Sequence, residues 1–81
     1  MHFVYMIVSQ DSYKHTYVGY TKNLTGRLKL HNSGKGAKYT RGRSWKIIYS
    51  KKYNTKSEAL KNEYKLKINY FLRKKIKNKK L

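Results

Sequence analysis

Between Tyr17 and His31 the chain changes from the alternation of a strand to the spacing of a helix, and this switch constrains the fold more than any other stretch. Thr16 to Tyr20 (T-Y-V-G-Y) alternates β-branched and aromatic residues and carries Gly19, a residue suited to a strand that ends or is closely approached. Thr21 follows as the expected N-cap of a helix starting at Lys22, and Leu24 and Leu28 set the helical spacing. On that helix Arg27 and His31 are i, i+4 neighbours flanking the apolar side. Two readings are open at this point. Both side chains snorkel off the edge of an apolar stripe, or a cation and an imidazole are aimed at a site beside the Tyr-bearing strand.

The flanking sequence supplies the rest of a small domain. His2 to Ser9 is an apolar, β-branched run suited to a strand buried on both faces. Gln10 to His15 reads as a polar hairpin loop around Asp11 and Ser12. Alternation puts Phe3, Tyr5 and Ile7 on one face, and Tyr17 and Gly19 on one face, so a hairpin in suitable register brings Tyr5 near Tyr17. The first helix is expected to end near Asn32-Ser33-Gly34. From Gly34 to Gly42 runs a loop with Lys35, Lys38 and Arg41, followed by Arg43; it lacks the spacing of a Walker-type phosphate loop. Composition fits a solvated loop and a substrate-contacting loop equally. Ser44 to Tyr53, with Trp45, Ile47, Ile48 and Tyr49, reads as a third strand, and Thr55 with Glu58 forms a capping box opening a helix to about Ile68. Asn69 to Lys77 either continues that helix or forms a short separate one, and residues 78–81 are expected as a frayed basic tail. The fold class expected is α+β: one domain over residues 1–77, a three-stranded mainly antiparallel sheet with helices packed over it.

Composition narrows the function. With 81 residues there is room for one thin core. The absence of Cys excludes disulfides, thiolate catalysis and thiolate zinc sites. Lys and Arg total 21 against 3 acids, a net charge of +18, and they are interleaved with nine Tyr, one Trp and two Phe. Cations for phosphates and rings for stacking are the composition of a nucleic-acid binder, with single strands the easier fit. An AT-rich genome also favours Lys, Asn, Ile and Tyr, so the charge supports this reading without deciding it. An anionic membrane surface is the rival polyanion, but no basic helix with a strongly apolar face, no long apolar run and no signal-peptide pattern stands out. A cytoplasmic, nucleoid-associated protein is expected.

Three acids are available to any metal-assisted chemistry on phosphate: Asp11, Glu58 and Glu63. Asp11 is ordinary in a turn, and Glu58 is explained by the capping box. On a helical wheel the inward arc of the last long helix runs Leu66, Ala59, Glu63, Lys67, Leu60, Tyr64, so Glu63 is expected to face the sheet. A structural ion pair with Arg27 or Lys67 and a metal site remain equally open for it. His2 and His15 belong to no motif, and the three His have no zinc spacing.

Phe3-Val4-Tyr5 and Tyr17-Val18-Gly19, Arg27 and His31, A-K-Y-T-R-G-R (Ala37 to Arg43), Trp45 and S-E-A-L-K-N-E-Y-K-L-K (Ser57 to Lys67) occur in one order along the chain. Together they resemble the GIY-YIG endonuclease family over nearly the whole chain, its small stand-alone bacterial members most of all. That resemblance implies metal-dependent endonucleolytic hydrolysis of DNA, single-stranded or branched, with Mg²⁺ or Mn²⁺ as cofactor and repair or recombination as the setting. It implies Glu63 as the metal ligand and Tyr5 as the tyrosine that activates or positions water. Tyr17 would orient the phosphate or Tyr5, Arg27 would stabilise phosphoryl charge, and His31 would bind phosphate or shuttle a proton. Acting as a base, the Tyr5 phenol would need a cationic neighbourhood to bring its pKa down from about 10. Lys38, Tyr39, Arg41, Arg43 and Trp45 are the expected strand-contacting edge. Two departures stand out: Phe3-Val4 replaces Gly-Ile, and the Asn that many members carry beyond the helix Glu has three candidates, Asn62, Asn69 and Asn78. No appended DNA-targeting domain is read, so selectivity is expected from the domain itself, from dimerisation or from a partner; the oligomeric state is not legible. The rivals are a non-catalytic nucleic-acid-binding module and, more remotely, a ribosome- or membrane-associated basic protein.

Overall fold

Strand β1 (His2–Ser9) lies at the centre because it is apolar on both faces; residues 4 to 9 are all buried. In the computed structural model, which describes residues 1–80, β2 (Thr16–Thr21) and β3 (Trp45–Tyr53) pair with it from either side. The order is β2-β1-β3 and both pairings are antiparallel, so the expected sheet is the observed one. Asp11 closes the β1–β2 hairpin as a turn residue: its Oδ1 accepts from the amides of Tyr13 and Lys14 and from the hydroxyl of buried Ser9.

Alternation along β1 gives two small cores. On one face Tyr5 and Ile7 pack with Trp45, and Tyr17, Leu24, Leu28 and Ile47 close over them. On the other, Val4, Met6 and Val8 pack with Val18, Ile48, Ala59 and Leu66. Each fully buried aliphatic side chain contributes roughly 1.5–3 kcal/mol, so β1 is the principal source of cohesion. A register shift between Met6 and Ile7 marks a bulge opposite them on β3. It lets the consecutive residues Ile48 and Tyr49 both pack against the Val4 face.

Helix α1 spans Leu24–Asn32 and covers the Tyr5 face; α2 (Lys56–Ile68) and α3 (Tyr70–Lys80) cover the Val4 face. The N-cap of α1 is Asn23, whose side chain accepts from the Gly26 amide, and not Thr21 as expected. Thr21 is the last residue of β2, and its hydroxyl takes the Asn23 amide instead, so the two residues share the turn. Gly34 ends α1 with φ +81°, a conformation glycine adopts freely, and its amide bonds the His31 carbonyl. Thr55 caps α2 through the Glu58 amide, as expected.

Helix α3 is separate from α2. The break falls at Asn69, whose Oδ1 accepts from the Leu72 amide and starts the new helix. Arg73 holds the two helices together by donating to the carbonyls of Leu66 and Lys67 at the end of α2. Residues 78–80, expected to fray, form the last part of α3; position 81 of that expected tail lies outside the described residues. The inward arc of α2 is narrower than expected. Ala59 and Leu66 are buried and Glu63 is half-buried, while Leu60 and Tyr64 face outward, because α3 takes part of the same sheet face through Ile76.

Candidate active site

The strand-to-helix switch brings four of the expected residues to one place. Tyr5 faces α1 from the middle of the sheet, and its cross-strand partner is Gly19. A methyl group at residue 19 would overlap the phenol oxygen, so the missing side chain is what lets the Tyr5 ring lie across β2. Its hydroxyl lies 2.7 Å from Nε2 of His31, and Arg27 Nε donates to it at 3.4 Å. Tyr17 completes the group, its ring meeting the His31 ring edge-on at 5.2 Å between centroids. Tyr17 pairs with Ile7, not with Tyr5, so the two tyrosines meet across His31 and not directly across the hairpin.

Burial decides the electrostatics here. Tyr5 is 2% exposed and His31 is 0% exposed. Burial pushes the Tyr5 phenol above its ordinary pKa, and the Arg27 contact only partly offsets this. The cationic neighbourhood expected to lower that pKa is therefore outweighed: among the described residues Arg27 is the one cation that hydrogen-bonds the hydroxyl. Burial, and secondarily the Arg27 charge, holds His31 below its ordinary value of 6.5. At neutral pH the pair is a neutral phenol against a neutral imidazole.

The segment after α1 packs on the same two side chains. Gly36 leaves room for the His31 ring where a methyl would collide with Nδ1, and its carbonyl accepts from Arg27 Nη2 at 3.1 Å. A 3₁₀ turn over Lys38–Thr40 then brings the Thr40 hydroxyl to 2.8 Å from His31 Nδ1. In the sequence nothing marks Thr40 and Gly36 beyond their place in or beside A-K-Y-T-R-G-R.

Glu63 approaches from the opposite layer. Its side chain is 17% exposed and pairs with Lys67 at 3.3 Å, one of the two expected salt-bridge partners; Arg27 is engaged with Tyr5 and Gly36 instead. Glu63 is nevertheless close enough for its charge to act on the Tyr5 phenol. The layers meet at the β2 edge, where one groove is lined by Thr16, Tyr17, Val18 and Tyr39 and by Lys67 and Arg73. No group of three or more His, Cys, Asp or Glu able to hold a metal occurs among the described residues. A divalent ion here would rest on the one carboxylate, completed by water and substrate oxygens, a donor set that fits hard Mg²⁺ or Mn²⁺ and not zinc.

The expected strand-contacting edge divides. Lys38, Tyr39 and Arg41 are exposed, Tyr39 at 53%. Arg43 is committed: its Nε donates to Asp11 Oδ2 at 3.0 Å. Trp45 is buried at 1% exposure, with its indole N–H donating to the Thr40 carbonyl, so its face is not available for stacking on a strand. It is the largest wholly buried side chain, and Asn32 clamps its backbone at both polar atoms. Tyr13, which belongs to no sequence motif, is 72% exposed and stacks on His15, which meets Tyr39, which stacks on Tyr17 at 6.1 Å. A path of rings thus leads from the surface to His31. Of the three candidates for the Asn beyond the helix Glu, Asn62 bonds the Glu58 carbonyl and Asn69 caps α3. Asn78 lines a groove with Thr16, Arg73 and Lys77.

Comparison with known proteins gives the family and the fold. The family model for the GIY-YIG catalytic domain matches residues 1–78. A UPF0213 protein of Oceanobacillus iheyensis is 49% identical over 67 residues, covering 82% of this chain and 76% of the relative. A UPF0213 protein of Staphylococcus epidermidis is 48% identical over 67 residues, covering 82% and 79%. The solution NMR structure of a UPF0213 protein from Bacillus halodurans superposes with a TM-score of 0.55 at 36% identity, covering 93% of this chain and 80% of that one.

Proposed function

This chain belongs to the GIY-YIG family, a family of nucleases acting on DNA, and from that premise we propose that it is a metal-dependent endonuclease hydrolysing DNA phosphodiester bonds. The observation that carries the reading is the buried Tyr5 hydroxyl placed between His31 Nε2 and Arg27 Nε. Because burial keeps the phenol protonated at rest, Tyr5 works as a relay and not as a standing phenolate. As the water oxygen attacks phosphorus, the water proton passes to the Tyr5 oxygen while the phenol proton passes to His31 Nε2. One P–O bond forms, the bond to the leaving oxygen breaks, and that oxygen takes a proton from solvent. His31, held below its ordinary pKa, is neutral and able to accept at physiological pH. Arg27 keeps a fixed positive charge beside this transfer and toward the phosphoryl oxygens, its other end anchored on Gly36. Tyr17 packs against His31 and borders the β2-edge groove, where it orients the phosphate.

Glu63 would hold Mg²⁺ or Mn²⁺ on exchanging its Lys67 partner, and the ion would supply Lewis-acid stabilisation of phosphoryl and leaving oxygens. The exposed rings of Tyr13 and Tyr39 and the exposed cations Lys38 and Arg41 favour single-stranded or branched DNA, whose bases can stack. Tyr5→Phe tests the reading: cleavage should fall about 10²–10⁴-fold, the range for a lost acid–base group, with DNA binding retained. Cleavage at the wild-type rate would remove Tyr5 from the mechanism.

The Glu63–Lys67 ion pair supports a second reading, a non-catalytic nucleic-acid-binding module in which Glu63 is purely structural. In that case Glu63→Ala changes stability and nothing else.

A further inference from the structure

His31 is buried with a hydroxyl at each ring nitrogen: Tyr5 at Nε2, 2.7 Å away, and Thr40 at Nδ1, 2.8 Å away. A hydroxyl can donate or accept, so the ring by itself does not choose which nitrogen bears the proton. Thr40 makes the choice. Its oxygen also lies 3.0 Å from the Ala37 carbonyl, and a carbonyl can only accept, so the single hydroxyl proton is spent there. The Thr40 oxygen is then left to accept from Nδ1–H. A neutral imidazole has one N–H, so Nε2 is bare and accepts the Tyr5 proton.

The other tautomer is penalised twice. It would point Nε2–H at the Tyr5 oxygen and take from the Tyr5 hydroxyl proton its acceptor, since Arg27 can only donate, and it would set a bare Nδ1 against a hydroxyl whose proton is committed to Ala37. A buried polar group left without a partner costs roughly 1–3 kcal/mol, enough to fix the ring almost entirely in one form. Thr40 is itself held in place: its carbonyl accepts from the Trp45 indole at 2.8 Å, and the 3₁₀ turn beneath it fixes the approach of the hydroxyl.

We infer that Thr40 is a positioning residue that locks His31 in the Nδ1–H tautomer, so that protons can move only from Tyr5 toward His31. The inference rests on the nuclease reading for its catalytic consequence, but the tautomer itself does not. Gly36 completes the same device by anchoring Arg27, so the turn between residues 36 and 40 orients both basic groups that face Tyr5.

The test is the long-range ¹H–¹⁵N spectrum of the histidine rings in the full chain near pH 8, with signals assigned against His2→Gln and His15→Gln. Wild type should show His31 protonated at Nδ1. Thr40→Val, which keeps the shape and removes the hydroxyl, should shift His31 toward Nε2–H and lower cleavage about a hundredfold with binding of a single-stranded oligonucleotide unchanged. Thr40→Ser should restore both. A wild-type His31 protonated at Nε2 overturns the inference, and this holds even if the valine variant does not fold. A folded valine variant that keeps the Nδ1–H form overturns it as well. Wild type with the expected tautomer but no cleavage of any DNA would sink the nuclease reading and leave the tautomer assignment standing.

Discussion

The phenol of Tyr5 occupies space that any side chain at residue 19 would need. Gly19→Ala is therefore expected to cost about 1–3 kcal/mol by overpacking and to lower cleavage by displacing the hydroxyl from His31. Urea unfolding beside single-turnover cleavage checks both effects. His31 gives a sign for the pH dependence. Its folded pKa lies below the ordinary 6.5, so the unfolded chain binds more protons as pH falls. Stability from the buried neutral ring is thus complete above pH 6.5 and is lost as pH falls toward the folded value. His2 is also held low, so the comparison belongs in a His2→Gln background; Asp11 is held below 3.8 and titrates outside this window. The urea midpoint should drop between pH 7.5 and 5, and His31→Gln should flatten that drop. A midpoint equally pH-dependent with and without His31 would show that the ring is not buried neutral.

At the scale of elements, the strands, the α2 cap and the Tyr5–Tyr17–Arg27–His31 group were legible because each depends on local period or on a motif of fixed spacing. Trp45 shows where legibility ends. An aromatic in a basic stretch reads the same whether it faces a nucleic acid or the core, and only the pairing of β3 with β1 puts it inside. Arg43 fails for a related reason: its partner Asp11 lies in the distant hairpin loop, and the contact forms only once the sheet does. Thr40 was illegible because its role depends on a 3₁₀ turn and on one hydroxyl proton. Trp45→Phe keeps most of the ring volume and loses the indole bond to Thr40, so a loss of about 1 kcal/mol is expected with DNA affinity unchanged. A weaker DNA isotherm for the folded variant would return Trp45 to the binding surface.

The molecule as a whole carries a charge of +18, and the groove at the β2 edge, where residues from both layers meet, includes the cations Lys67 and Arg73. Arg41 is exposed and Arg43 is tied to Asp11, so their contributions to binding should differ. Arg41→Ala should lower the salt slope of oligonucleotide binding by about 0.7–0.9, and Arg43→Ala should leave it near the wild-type value; equal losses would mean the Asp11 pair opens on binding. The catalytic claim itself depends on Glu63, the carboxylate whose partner Lys67 lines this groove. Cleavage of labelled single-stranded, duplex and branched DNA should be measured with Mg²⁺, Mn²⁺ or EDTA, for wild type beside Glu63→Ala. Metal-dependent cutting by wild type, abolished in the variant with binding intact, is the expected result. Tight binding without cutting under any metal, or cutting that survives the loss of Glu63, would contradict it.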